Sequence, residues 1–241
     1  MNPAVGWQEP RRRFTTLLFD VFGTVVDLQG TVRDATRTWL RARGLDEEGA
    51  GRLTERWLTQ VNASLAEVRD GRSGWSGHDD LLRQSLQEAM RHLGIPDVDG
   101  SAMDEMAGAM QRLRPWPDAP SAIARLSAGH RVVALSNASM ATLTNLSAAT
   151  GIRWHCVLSS ELVRTYKPDP RVYDFALETL RLEPSETLMV AAHTWDLQAA
   201  ARAGTATALV GREGEDPFDA PGSFTIRARD LTDLGEFLTA P

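Results

Sequence analysis

Two hydrophobic rhythms divide the chain. Residues 14–19 form a short apolar and β-branched run that stops at Asp20, with a glycine turn at Gly23 just beyond, as expected of a buried strand meeting a loop. Between 30 and 114 the period is helical. The stretches 31–43, 47–69, 78–93 and 101–113 repeat apolar residues about once per turn, for example Val32, Ala35 and Trp39, Leu53 and Trp57, Leu82 and Leu86. Gly44, Gly71 and the Gly94-Ile95-Pro96 stop punctuate them. No strand is expected there. From Pro115 onward, apolar strands at 131–135, 154–158, 187–192, 207–210 and 224–226 alternate with helices at 119–128, 140–150, 171–180, 197–203 and 231–238. That alternation predicts βαβ units and a parallel sheet. The expected fold is α/β, a Rossmann-like core (14–29 and 115–241) with an all-helical cap (30–114) inserted after the first strand and a polar lead-in at 1–13.

Charge and composition narrow the function. A net charge of −6 and a pI near 5.4 disfavour nucleic acid or an anionic membrane as partner, since both call for a basic footprint. No apolar run approaches the roughly 20 residues of a membrane span. Arg11-Arg12-Arg13 precedes an apolar run that ends at Asp20, too early for an export signal. The single cysteine, Cys156, excludes an internal disulfide and reads as a core thiol. An acidic cytoplasmic enzyme is the expectation. Trp and Leu on the cap helices leave a homodimer or a cap-to-core interface open.

The chemistry sits at strand ends. An acid at the carboxyl end of a strand lies where open α/β sheets bind ligands, although Asp20 alone reads equally as a turn cap. Further polar residues fall at or just beyond predicted strands: Ser136-Asn137, Lys167 and Asp196. Ser136 and Asn137 read also as an N-cap for the helix at 140–150.

In order, Asp20-Val21-Phe22-Gly23-Thr24, Ser136-Asn137, the string from Tyr166-Lys167-Pro168 to Tyr173, and Val190-Ala191-Ala192-His193-Thr194-Trp195-Asp196 resemble the haloacid dehalogenase superfamily. The closer likeness is to its type II L-2-haloacid dehalogenases. The resemblance covers the chain from Phe14 onward. It implies a nucleophilic Asp20 in a motif with Thr24, kept ionised by Lys167, with Asp196 stabilising Lys167 and helping to position or activate water. It implies that Ser136 binds substrate carboxylate and that Asn137 belongs to a halide cradle. Val21, Phe22, Tyr173, His193, Trp195 and Trp57 are the expected substrate-binding residues, with His193 either a general base or an oriented polar neighbour.

Superfamily phosphatases usually carry a second Asp two residues after the nucleophile, and here that residue is Phe22. Their fourth motif usually has a Gly-Asp pair before a further Asp, and only Asp196 remains here. Magnesium needs oxygen ligands, and phosphoryl transfer without that cation loses its main charge neutralisation. Halide leaves carbon unprotonated. The resemblance therefore implies hydrolysis of short 2-haloacids to 2-hydroxy acids through an Asp20 ester, with no metal or other cofactor. One departure stands out. Where such dehalogenases place a cap arginine directly after a Trp, this chain has Leu58 after Trp57, and an apolar side chain cannot replace a bidentate cation. Arg56 and Arg69 are the nearby candidates to substitute. A small-metabolite phosphatase and a non-catalytic relative that binds a small anion remain the rival readings.

Overall fold

The strand that ends at Asp20 lies inside a six-stranded parallel sheet. The computed structural model describes residues 14–239, and the lead-in expected at 1–13 lies outside them. The sheet comprises β1 (Thr16–Phe19), β4 (Arg131–Ser136), β5 (Cys156–Ser159), β6 (Thr187–Ala191), β7 (Ala206–Val210) and β8 (Ile226–Ala228), in the order β5-β4-β1-β6-β7-β8. A two-residue ribbon, β2 (Val26–Asp27) paired antiparallel to β3 (Arg114–Pro115), frames the helical insertion. β1 pairs with β4 on one side and β6 on the other, matching Phe19 to Ala134 and to Val190. The three strands end within two residues of one another in register, and the residues that follow them converge.

Side-chain alternation on β1 assigns the two faces. Leu17 and Phe19 join the cluster packed by α5 (Ala119–Leu126), α6 (Met140–Thr150) and α9 (Leu231–Thr239), while Leu18 joins α7 (Pro170–Thr179) and α8 (Thr194–Arg202) on the other face. Both faces being buried explains why the strands read as apolar runs rather than alternating ones. Cys156 is a half-buried free thiol in β5.

The insertion holds α1 (Leu28–Ala42), α2 (Ala50–Arg69), α3 (His78–His92) and α4 (Gly100–Ala107). Their apolar stripes form one cluster continuous with the sheet's. Trp39 Nε1 donates to Ala102 O at 3.0 Å and Trp57 Nε1 to Leu82 O at 2.9 Å. Both tryptophans are buried between these helices, so they are not surface for a second copy. Three contacts seat the helices over the sheet: Tyr166 OH to Ser76 O (2.7 Å), Ser139 Oγ to Asp79 (2.9 Å) and Gln29 Nε2 to Gly214 O (2.8 Å).

Several boundaries moved, each for a local reason. α1 starts earlier than its apolar pattern because the Asp27 carboxylate caps Gly30 N at 2.8 Å. α8 starts at Thr194 rather than 197, because Asp216 accepts from Thr194 N and Oγ1 at 2.7 and 2.6 Å and supplies the cap from a distant loop. α4 ends at Ala107 and continues only as a 3-10 turn to Arg112. The last strand is Ile226–Ala228, not 224–226, since Phe224 instead lies under the Arg227 guanidinium.

Candidate active site

Asp20 follows β1 directly and is buried. Its Oδ1 accepts from Lys167 Nζ at 2.9 Å. Its Oδ2 accepts from Thr24 Oγ1 at 2.8 Å and lies 3.0 Å from His193 Nδ1. The loop after β1 brings Thr24 back over Asp20, and Thr24 Oγ1 in turn accepts from Ala192 N (2.9 Å) at the end of β6. Lys167 comes from the loop between β5 and α7. Asn137 holds its backbone from both sides, Oδ1 accepting from Lys167 N (2.7 Å) and Nδ2 donating to Lys167 O (3.3 Å). Lys167 Nζ also donates to Asp196 Oδ2 (2.5 Å), and Tyr173 OH to Asp196 Oδ1 (2.5 Å).

Burial alone would favour a neutral Asp20, but Lys167 and His193 hold it well below the usual carboxylate range. The same balance raises Lys167, whose burial is outweighed by Asp196 and Asp20. Asp196, wholly enclosed and near the Asp20 charge, is pushed upward despite Lys167. Tyr173 is pushed upward by burial and by Asp196.

His193 has a second partner that the sequence did not announce. Its Nε2 lies 3.1 Å from Glu215 Oε2. Glu215 belongs to the loop after β7, which is anchored on both sides of it. Arg212 donates to Thr24 O (2.8 Å) and Asp118 (2.9 Å), and Asp216 takes Thr194. Burial would depress the imidazole, but the hydrogen bonds to Asp20 and Glu215 overcome that and push it up to about 10. His193 is therefore a cation at neutral pH, not a free base.

A cavity of about 470 Å³ opens above these groups, between sheet and cap. Asp20, Phe22, Ser136, Asn137, Lys167, His193, Trp195 and Glu215 form its sheet side, and Leu58, Val61, Leu65 and Arg69 of α2 line the cap side with His78 and Leu82 of α3. His78 and Glu215 were not expected from sequence. Trp195 is 40% exposed and stacks on His193, with ring centroids 5.5 Å apart. Arg69 reaches the wall with Nε bound to Asp70 at 2.7 Å, whereas Arg56 is not on the wall.

Four expectations change. Trp57 lies off the cavity, its ring buried in the α2–α3 core. The Val21 side chain is likewise buried in the core, and its carbonyl closes the turn by accepting from Val25 N and Val26 N. The α6 N-cap is Ser139, which accepts from Thr142 N at 3.0 Å, so Ser136 and Asn137 are not used there. Asp196 and Tyr173 stand behind Lys167, off the cavity, and Asp196 has one oxygen bound by Lys167 and the other by Tyr173. Such a carboxylate can orient the ammonium but is closed off from water.

The residues do not fit a magnesium ion. Asp20 and Asp196 are the acids left from a phosphatase-type set, and the Lys167 ammonium already bridges them. Phe22 and Ala192 offer no side-chain oxygen. Among the described residues no cluster of three or more His, Cys, Asp or Glu is arranged to hold a metal.

Comparison with known proteins agrees in sequence and in fold. The (S)-2-haloacid dehalogenase 4A of Burkholderia cepacia is 30% identical over 205 residues, covering 83% of this chain and 84% of that one. The (S)-2-haloacid dehalogenase of Xanthobacter autotrophicus is 30% identical over 83% of this chain and 76% of its own. A crystal structure of a defluorinating L-2-haloacid dehalogenase superposes with a TM-score of 0.89 at 32% identity, covering 94% of this chain and 96% of that one. The family model for haloacid dehalogenase-like hydrolases matches residues 14–204, and the chain belongs to that family.

Proposed function

We propose that the protein is a hydrolase of carbon–halide bonds that converts 2-haloalkanoic acids to 2-hydroxy acids. The observation that carries this reading is the state of Asp20, an ionised carboxylate held between Lys167 and His193 at the floor of a cavity, with Phe22 beside it instead of an acid. The relatives named as 2-haloacid dehalogenases support it.

In this reading Asp20 attacks the halogen-bearing carbon from behind, with inversion, and halide departs with its bonding electrons. Ser136 and Lys167 receive the substrate carboxylate, while Asn137 and Trp195 line the path of the halide. Water then adds to the Asp20 ester carbonyl. The Lys167 and His193 N–H groups lie 2.9 and 3.0 Å from the two Asp20 oxygens, where they stabilise the negative charge of the tetrahedral intermediate. The first proton of the adding water passes to solvent. Collapse breaks the bond to the substrate oxygen, which takes a proton from His193, and the Asp20 carboxyl returns a proton to His193, regenerating the carboxylate and releasing the 2-hydroxy acid. Thr24 and Asn137 fix the two reacting partners, and Asp196 with Tyr173 aims Lys167. A cytoplasmic setting suits the acidic chain and its single thiol, and no helix among the described residues is long and apolar enough to cross a membrane.

The test is halide release from L-2-chloropropionate with EDTA present. Release should persist in EDTA and vanish in Asp20→Asn. A single turnover in heavy-oxygen water should label the Asp20 peptide and not the product. A label found only in the product, or loss of activity to EDTA, would overturn the reading.

A further inference from the structure

We propose that the preferred substrate is a 2-haloalkanoate with an apolar tail longer than that of 2-chloropropionate, selected by α2. This rests on the dehalogenase reading above and follows from how charge is distributed round the cavity. α2 turns Leu58, Val61, Leu65 and Ala66 to the wall, together with Asn62 and Arg69; Leu58, Val61, Leu65 and Arg69 fall at i, i+3, i+7 and i+11, along one helical stripe. Its one cation comes last. Arg69 sits about 16 Å along the axis from Leu58 at 1.5 Å per residue, and Asp70 already holds its Nε.

The other cations on the wall, Lys167 and His193, belong to the sheet side. A substrate carboxylate is therefore met by cations at the sheet, and the cap offers it mainly carbon, from Leu58, Val61, Leu65 and Leu82, interrupted by Asn62 of α2 and His78 of α3. Leu82 of α3 extends the apolar surface opposite. The volume, about 470 Å³, falls in the range of about 300–1,000 Å³ typical of pockets for much larger ligands than a two-carbon acid. Chloroacetate has nothing to bury against Leu58, Val61 and Leu65. Each methylene added at C2 does, and because the tail is held equally in ground and transition states, the gain appears in KM more than in kcat.

Bromide release is measured on the full chain with L-2-bromo acids of increasing length, from bromoacetate to bromooctanoate. The expected result is a rise in kcat/KM of about fourfold per methylene over the first few carbons, carried by KM. Ala66→Phe, at a half-buried position on the same wall, should flatten that slope, a ratio that partial misfolding cannot mimic. A flat or falling series in the unaltered protein overturns the inference while leaving the dehalogenase reading intact. An undiminished slope in Ala66→Phe overturns the assignment to α2. No bromide from any acid, bromoacetate included, overturns the dehalogenase reading and this inference with it.

Discussion

His193 joins the nucleophile to a second carboxylate: its Nδ1 lies 3.0 Å from Asp20 Oδ2 and its Nε2 lies 3.1 Å from Glu215 Oε2. A ring with a carboxylate on each nitrogen binds two protons and donates to both sides. It then has no lone pair with which to take a proton from water. What it can do is stabilise the negative charge that develops on Asp20 when water adds to the ester, and give up a proton to the departing oxygen. The pair Lys167 and His193 thus divides the two oxygens of Asp20 between two cations of different kinds, one permanent over the working range and one titratable.

Glu215→Gln tests the titratable half. The variant keeps an acceptor and removes the charge. A charge-assisted hydrogen bond contributes about 1.5–3 kcal/mol, so the His193 value should fall by about one to two units. In the unaltered protein the alkaline limb of kcat/KM should lie near pH 10, and in Glu215→Gln it should move down by that amount. Stability follows the same sign. Because folding raises the value from 6.5 to about 10, the contribution of the ion pair is complete below about pH 6.5, declines above it and is gone beyond about pH 10. Thermal denaturation of the two proteins across that window should show the difference in Tm closing as pH rises. An unmoved limb would mean that His193 does not titrate in catalysis.

Gly23→Ala should reproduce part of that change from the other side of the ring. Gly23 has φ +76°, and a Cβ there would stand 2.6 Å from Glu215 Oε1 and 3.0 Å from His193 Cε1. The left-handed backbone alone costs about 1–2 kcal/mol for a residue with a side chain. Glu215 must also be displaced. The expected outcome is a lower Tm together with an alkaline limb shifted in the direction of Glu215→Gln. A lower Tm with an unchanged pH profile would assign Gly23 to the turn alone.

How much of this was legible in the sequence depends on where each residue sits relative to a strand. Asp20, Ser136 and the stretch from Ala192 to Asp196 immediately follow apolar runs, so the sheet itself delivers them to one edge once the strands are recognised. Lys167 was legible because it lies in a distinctive string. Glu215 was not. It lies in a loop with Glu213 and Asp216, and nothing local says that Glu215 reaches His193 while Asp216 caps α8. That choice is made by Arg212, whose partners Thr24 and Asp118 lie far away in sequence. Trp57 failed for the opposite reason. Its place beside Leu58 suggested the cavity, but successive residues of a helix point about 100° apart, and the apolar period had already put Trp57 on the buried stripe with Leu53 and Val61.

Tyr173→Phe separates support from chemistry. The hydroxyl is the donor to Asp196 Oδ1, and removing it leaves one oxygen of a wholly buried carboxylate unsatisfied. The cost is about 1–3 kcal/mol, a Tm lowered by roughly 2–4 °C per kcal/mol in a chain of this size. Because Tyr173 is off the cavity, KM should hold while kcat falls as Lys167 loses its fixed aim. A raised KM with unchanged kcat would place the tyrosine in substrate binding instead.

Leu58→Arg asks whether the cap wall sets which substrates are taken. Leu58 is half-buried and on the cavity wall, so an arginine there can extend toward Asp20, Glu215 and an incoming carboxylate. Its fork can bind that carboxylate bidentately, and a hydrogen bond to a charged group contributes about 1.5–3 kcal/mol. For chloroacetate and L-2-chloropropionate kcat/KM should rise by about tenfold to a hundredfold. Acids with long tails should lose what the short ones gain, because the guanidinium takes the space and the apolar contact that Leu58 gave them. Two opposing costs bound the effect. The new cation repels Lys167 and His193, and it must be stripped of water to sit against Leu65 and Leu82. Glu215 and Asp20 offset the first. If instead chloroacetate turnover is unchanged and long acids are unaffected, the residue at 58 does not reach the bound substrate, and carboxylate recognition belongs wholly to Ser136 and Lys167 on the sheet side.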